Sequence, residues 1–187
     1  MNFNKLNIFF ISICTCLILT LFACKTEATD NNAKSTQVDD KEELKSSIEK
    51  ANRYMLLQEA ELINDYIKRH NLDVQETGTG LRYQILKNGS GEYIKRGEVV
   101  ELEYETRLLT GDLLYSSKNM GNKTFVVGKG GVESGLEEAV LKLRKGDVAV
   151  VILPSHLAHG LLGDGNRIPP KAAIVYKIKV VDNQFKK

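Results

Sequence analysis

The chain has 187 residues, a length that fits one principal domain with extensions. Its 26 lysine and arginine residues nearly balance 24 aspartate and glutamate residues, and no basic tract stands out. We therefore expect no nucleic-acid partner, because binding to a phosphate backbone needs a concentrated positive surface.

The first 23 residues have the pattern of an export signal. A short positively charged start, residues 1–5, precedes an apolar run at 6–22 that is too short and too early for a convincing membrane span. Cys24 follows a small residue, which resembles the bacterial lipobox, so we expect cleavage before Cys24 and lipidation of that cysteine. All three cysteines lie within the first 24 residues, which leaves none for a disulfide in the exported domain. The alternative is a soluble secretory signal that is cleaved near Cys24.

The predicted location is therefore the bacterial cell envelope, with the protein anchored by lipid. Lys25, rather than aspartate, follows the cysteine, and by resemblance to known sorting patterns this favours the outer membrane. Residues 24–40 are small and polar and cannot bury enough apolar surface to offset the entropy of ordering, so they are predicted to be a flexible tether. The membrane face on which the domain lies stays open.

Residues 41–73 form a predicted amphipathic helical segment. The stripe that indicates it comprises Leu44, Ile48, Ala51, Tyr54 or Met55, Gln58, Leu62 and Ile67. We interpret this stripe as the face that packs on the domain or on a copy of itself, which would give a homodimer through residues 41–70. A client-holding arm is the other interpretation.

From residue 74 the apolar pattern alternates with a period of two, which is typical of strands. The predicted strands are 81–86, 98–109, 113–117, 124–127, 148–153 and 174–181. A single helical pattern interrupts them at residues 132–143, and such a helix is expected to fill the concave face of a sheet. The predicted fold class is antiparallel α+β, preceded by an N-terminal α-helical segment.

Several separated motifs in this region follow one another in a fixed order. They are Val-Glu-Leu-Glu-Tyr at 100–104, residues 109–117, Phe-Val-Val-Gly at 125–128, Gly-Leu-Glu-Glu-Ala at 135–139, Lys-Gly at 145–146, Leu-Pro at 153–154, Ala-His-Gly at 158–160 and Ile-Pro-Pro at 168–170. Their order and spacing resemble those of the FKBP-type peptidyl-prolyl isomerase family over residues 80–181. The chain is most similar to the subgroup of exported lipoprotein isomerases, including gliding-associated ones.

This resemblance implies a domain at residues 74–187 in which a twisted antiparallel sheet wraps around the short helix and leaves an apolar pocket for a proline ring. The residues that fall at catalytic positions of the family are Tyr104, Phe125, Val132, Glu133 (through its backbone N–H), Leu136, His159 and Tyr176. Those at substrate-binding positions are Leu114, Tyr115, Ile168 and Pro169. The implied partners are polypeptides that contain proline, and the family's reaction needs no cofactor and no metal.

The sequence departs from the family at three of these positions. Leu136 replaces the usual tryptophan at the pocket floor, Tyr115 replaces a frequent aspartate, and His159 replaces a common tyrosine. Two functions follow. The first is an isomerase that accelerates X–Pro isomerisation during the folding of exported envelope proteins. The second is an FKBP-fold chaperone or interaction module with little isomerase activity.

Other residues with possible chemistry are interpreted structurally. His156 and His159 are three residues apart, but no cysteine or matching acidic cluster accompanies them, so they are predicted to be solvent-facing loop histidines without a metal. Asp112 and Asp164 lie beside glycines and are predicted to form turns.

Overall fold

The computed structural model describes residues 33–182, with side chains from residue 41 onward. The predicted signal segment, Cys24 and the first part of the predicted tether lie outside these residues. The first element is helix α1, Ala33–Arg69. It begins at Ala33 rather than at Lys41, so residues 33–40 are helical and the tether prediction is wrong for them. These residues include no glycine or proline, and extending an existing helix costs much less than nucleating one.

The chain divides into two compact units, residues 1–50 and residues 51–187. The described part of the first unit is the N-terminal portion of α1. The second unit contains the rest of α1 and the whole β-sheet. None of the helices between residues 33 and 182 combines the length and the apolar character that crossing a membrane requires.

The second unit is built on one antiparallel sheet. Its strands are β1 (Gln75–Glu76), β2 (Arg82–Lys87), β3 (Val99–Leu108), β4 (Leu113–Ser116), β5 (Lys123–Val126), β6 (Val148–Leu153) and β7 (Ile174–Val180). Their order across the sheet is β1-β2-β6-β7-β3-β4, and β5 pairs with β3. The long strand β3 pairs with β5 along its first half and with β4 along its second half. Two short helices, α2 (Ser117–Met120) and α3 (Ser134–Val140), complete the regular structure, with one 3₁₀ turn at Ser155–Leu157.

Helix α3 fills the concave face of the sheet, which confirms the predicted α+β class. Leu136, Ala139 and Val140 are at most 1% exposed and belong to the main apolar core. Gly135 lets the helix approach closely, because a Cβ atom there would lie 2.6 Å from Leu153 Cδ2 and 2.9 Å from Leu157 Cβ. The predicted helix at 132–143 is longer than the observed one, since the chain after Val140 tightens into turns with hydrogen bonds between residues three apart.

The C-terminal turns of α1 pack against the other face of the sheet. Ile63 and Tyr66 are buried there with Ile152, Ala173 and Val175. The predicted stripe is therefore wrong in this part of the helix, because Leu62 is 59% exposed and its neighbour Ile63 is buried instead. Leucines and isoleucines occur on more than one side of α1, so the sequence pattern alone did not single out the packed face.

Candidate active site

Five polar or aromatic side chains meet where three strands, the start of α3 and the loop after β6 converge. They are Tyr104 on β3, Lys123 on β5, Glu133 just before α3, His159 after the 3₁₀ turn and Tyr176 on β7. In the β3–β7 ladder Tyr104 is opposite Ile178 and Thr106 is opposite Tyr176, which makes the two tyrosines diagonal neighbours. Their ring centroids are 6.2 Å apart with the planes inclined at 54°.

The carboxylate of Glu133 is the centre of this cluster. The Tyr176 hydroxyl donates a hydrogen bond to Glu133 Oε1 at 2.8 Å, and His159 Nε2 lies 3.0 Å from the same oxygen. Lys123 Nζ lies 3.5 Å from Glu133 Oε2. Only 7% of the Glu133 side chain is exposed, so these contacts replace most of its hydration.

These contacts set the protonation states of the cluster. Burial by itself raises the pKa of the Glu133 carboxyl, but Lys123, the Tyr176 hydroxyl and His159 together lower it below its ordinary value. Burial and the neighbouring Glu133 carboxylate raise the pKa of Tyr176 and, more modestly, that of Tyr104. At neutral pH the cluster therefore holds an ionised carboxylate and two neutral tyrosines.

Lys123 is a site residue that the sequence pattern did not lead us to predict. Its ammonium lies 5.3 Å from the ring centroid of Tyr104 and 5.7 Å from that of Tyr176, within reach of cation–π attraction. The motif that guided the prediction begins at Phe125, which shares a strand face with Lys123 but lies deeper. Phe125 is 8% exposed and belongs to the main core. The period of two on β5 was the signal that could have found Lys123.

The structure brings together four of the seven predicted catalytic residues: Tyr104, Glu133, His159 and Tyr176. Val132 is half-buried against the core, whereas Leu136 is fully buried. Leu136 and Phe125 thus support the site from beneath and offer little surface to a ligand.

Two features of the predicted pocket need correction. The pocket was predicted to be apolar, but its centre holds a carboxylate with an ammonium and a hydroxyl around it. His159 was predicted to face solvent, but it is half-buried and contacts Glu133. From sequence, Glu133 was assigned to the site through its backbone alone, with no role for its side chain.

The loop between the 3₁₀ turn and β7 is fastened to β4. Tyr115 donates a short hydrogen bond to Asp164 Oδ2, and Arg167 Nη1 donates to the Leu114 carbonyl at 2.6 Å. Asp164 Oδ1 also accepts the backbone N–H groups of Asn166 at 2.9 Å and Ile168 at 2.7 Å, which closes a turn as its position beside glycine predicted. Tyr115, predicted to bind substrate, therefore contributes to the site by holding this loop in place.

The remaining predicted substrate-binding residues lie at different depths. Leu114 and Ile168 are 6% and 4% exposed and belong to the core. Pro169 is exposed and faces a separate groove, which it lines together with Met55 and Leu62 of α1. The structure thus does not bring Pro169 into contact with the cluster around Glu133.

The Asp164 carboxyl is strongly acidic in the folded protein. Partial burial by itself raises its pKa, but the Tyr115 hydroxyl, the two backbone N–H groups and nearby His159 lower it from 3.8 to about 2. The hydrogen bond to Asp164 is also the main cause of the raised pKa of Tyr115.

We expect the domain to lose stability in acid through these two carboxyls. Both have folded-state pKa values below their ordinary values of 4.5 for Glu133 and 3.8 for Asp164. Their stabilising contributions are therefore complete above about pH 5 and are lost as the pH falls through the folded-state values. Urea titrations between pH 6 and pH 2 should show the free energy of unfolding declining, with a shallower decline in Asp164→Asn. An equal pH slope in wild type and variant would contradict this prediction.

The histidines of the domain do not form part of a metal cluster. Between residues 33 and 182, no three histidine, cysteine, aspartate or glutamate side chains are arranged to hold an ion. His156 Nε2 lies 3.0 Å from the Thr79 carbonyl oxygen, away from His159.

A curved antiparallel sheet that wraps around one short helix, with tyrosines at the opening, defines an FKBP-like domain. Residues 90–181 match the model of the family described as FKBP-type peptidyl-prolyl cis-trans isomerase. Over this stretch, slightly less than half of the chain, the protein is similar to that family. The match agrees with the predicted family, and the predicted subgroup of exported lipoprotein isomerases stays a prediction.

Relatives and solved structures agree with this assignment. The chain is 38% identical over 109 residues to the probable FKBP-type peptidyl-prolyl cis-trans isomerase FkpA of Neisseria meningitidis, a match that covers 58% of this chain and 39% of the relative. It is 29% identical over 108 residues to the peptidyl-prolyl cis-trans isomerase Mip of Coxiella burnetii, a match that covers 58% of this chain and 46% of the relative. The chain thus spans less than half the length of these curated relatives. The crystal structure of FkpA from Escherichia coli superposes with a TM-score of 0.59 at 26% identity, covering 91% of this chain and 80% of that one.

Proposed function

We propose that this protein is a peptidyl-prolyl cis-trans isomerase that accelerates X–Pro isomerisation during the folding of exported envelope proteins. The observation that carries the proposal is the convergence of Tyr104, Glu133, His159 and Tyr176 from four separate segments of an FKBP-type domain. These residues were assigned from sequence by resemblance to the family.

The reaction needs positioning rather than a nucleophile. Rotation about an X–Pro bond has a barrier of about 18–20 kcal/mol because the amide loses resonance as it twists. Uncatalysed exchange takes tens to hundreds of seconds, which can limit folding. No covalent bond is made or broken, so a site that prefers the twisted amide to the planar one is sufficient.

The site offers suitable groups for this preference. The rings of Tyr104 and Tyr176 supply aromatic surface on which a pyrrolidine can pack. The cleft also has hydrogen-bond donors, and because the carbonyls of a bound X–Pro unit are acceptors, such donors can orient it. The half-buried position of Tyr104 and His159 places these groups at the boundary between core and solvent.

The envelope location is proposed from the N-terminal sequence. The pattern at residues 6–24 supports export and lipidation at Cys24, with the outer membrane favoured by Lys25. A lipid anchor would keep the domain where newly exported, proline-containing polypeptides fold. Palmitate labelling of the full chain in a bacterial host, lost in Cys24→Ser, would test the anchor.

A chaperone or interaction module with little isomerase activity is the second function, and α1 provides the observation that favours it. Tyr54, Leu56, Leu57 and Leu62 are each more than half exposed on this helix. A helix that leaves several large apolar side chains exposed offers surface to a partner. They could serve either a homodimer through residues 41–70 or a client.

Refolding of a proline-limited test protein separates the two functions. If the isomerase proposal is correct, catalytic amounts of the full chain should accelerate the slow refolding phase in proportion to its concentration. If the protein is only a binding module, the slow phase should keep its uncatalysed rate, while stoichiometric amounts still bind the unfolded test protein.

A further inference from the structure

The donors of the cleft converge on one acceptor that belongs to the protein itself. The Tyr176 hydroxyl, the Lys123 ammonium and the ring of His159 all surround the Glu133 carboxylate. Such contacts to a charged acceptor are stronger than those between neutral groups. The carboxylate is therefore held firmly inside the site that a substrate would have to enter.

An X–Pro substrate would need the same donors. Proline has no backbone N–H, so the X–Pro amide itself presents only a carbonyl oxygen, which accepts hydrogen bonds from the protein. The backbone N–H of Glu133 was assigned this role from the resemblance to the family. In the structure the side-chain carboxylate of the same residue lies among the other donors of the site.

On the basis of the proposed isomerase function, we propose that Glu133 is a specificity-determining residue whose carboxylate competes with the substrate carbonyl for the donors of the cleft. Short X–Pro peptides must displace it with few contacts of their own. Long polypeptide clients can gain additional contacts outside the cleft, so they displace it more readily. The substrate class is thus extended unfolded chains in preference to short peptides.

Exposed apolar surface follows His159 along the chain. Leu161 and Leu162, in the loop fastened by Asp164, are 69% and 85% exposed. Binding energy from contacts remote from the reacting bond can offset the displacement of an internal group. A long unfolded client has more residues than a four-residue peptide with which to make such contacts.

Removing the competing carboxylate should favour short peptides selectively. If the donors are free in about a tenth of the molecules, the apparent dissociation constant of a short peptide is raised about tenfold by the competition. In Glu133→Ala we expect the dissociation constant of a blocked Ala-Phe-Pro-Phe peptide, measured by NMR titration of the full chain, to fall about tenfold. The value of kcat/KM for this peptide should rise by a similar factor, and by a larger factor than that for a refolding protein substrate.

Glu133→Gln and Glu138→Gln complete the experiment. Glutamine keeps the shape of the side chain without its charge, so Glu133→Gln should also bind the peptide more tightly than wild type, by a smaller factor. This variant decides the outcome if the alanine variant does not fold. Glu138 lies on α3, where it accepts a hydrogen bond from Thr79, and Glu138→Gln removes the same charge away from the cleft. Peptide binding in this control should match wild type.

The inference is overturned if folded Glu133 variants bind the peptide no more tightly than wild type, or if Glu138→Gln shows the same gain. Binding is measured independently of turnover, so its result holds even if the wild type proves inactive. Inactivity of the wild type on both peptide and protein substrates would refute the proposed isomerase function instead.

Discussion

Replacing Gly89 with alanine is expected to lower the free energy of unfolding by about 3 kcal/mol, the upper end of the range for overpacking a close contact. A Cβ atom at this position would lie 2.2 Å from the Lys145 carbonyl oxygen and 2.6 Å from the Asp147 nitrogen. Both are backbone atoms, so no flexible side chain can move aside. The change would also disturb the hydrogen bond from the Gly89 N–H to Asp147 Oδ1, which is 2.6 Å long.

Gly78 offers the matched control. A Cβ atom there would meet no heavy atom within 4 Å, and the backbone is not left-handed, so alanine should fit. Such a replacement changes stability by about 0.4–1 kcal/mol, and in the stabilising direction, because the unfolded chain loses freedom. Urea unfolding followed by circular dichroism measures both variants. Equal stabilities for the two would show that the 88–91 turn is not packed against the Lys145–Asp147 segment.

Replacing Tyr104 with alanine should reduce kcat/KM for prolyl isomerisation by about 10-fold to 100-fold. The variant loses an aromatic contact that contributes about 1.5–3 kcal/mol when the proline ring is buried against it. Tyr104 is half-buried at the opening of the site, and its ring is adjacent to Tyr176 and to the Lys123 ammonium. The measurement is the rate of a proline-limited refolding phase at several enzyme concentrations.

Tyr93→Ala is the control for this substitution. Tyr93 is 52% exposed and contacts Arg144 outside the site, so its removal should leave the rate unchanged. Phe125→Ala is a poor test, because Phe125 is buried in the core and its loss would reduce activity through stability. If a folded Tyr104→Ala variant isomerised the substrate at the wild-type rate, Tyr104 would not be a catalytic residue.

The strands of this protein could be predicted with good accuracy. The predicted strand at 148–153 coincides with β6, and the predicted strand at 98–109 exceeds β3 by one residue at each end. The apolar pattern is a local signal: residues 98–109 and 174–181 were predicted from alternation, and residues 148–153 from a continuous apolar run. The position of α3 among the strands was likewise evident from its helical spacing, although its ends were not.

The site was only partly predictable. The resemblance to the FKBP-type family indicated Tyr104, Glu133, His159 and Tyr176, because these residues fall at positions that line the family's pocket. Lys123 was missed, and the carboxylate of Glu133 was given no role. The carboxylate matters because it contacts Tyr176 and His159, which lie 43 and 26 residues from Glu133 along the chain.

The sequence by itself therefore determined six of the strands, the position of the short helix α3 among them and the resemblance of the domain to a family. Only the tertiary structure decided which groups share an environment: the Glu133 carboxylate with Lys123, Asp164 with Tyr115, and the Gly89 N–H with Asp147. The physical reason is that a pattern of apolar residues records burial along one segment, whereas a hydrogen bond or an ion pair depends on distances between segments. Those distances are set by sheet register and by the packing of α3, which no single segment contains.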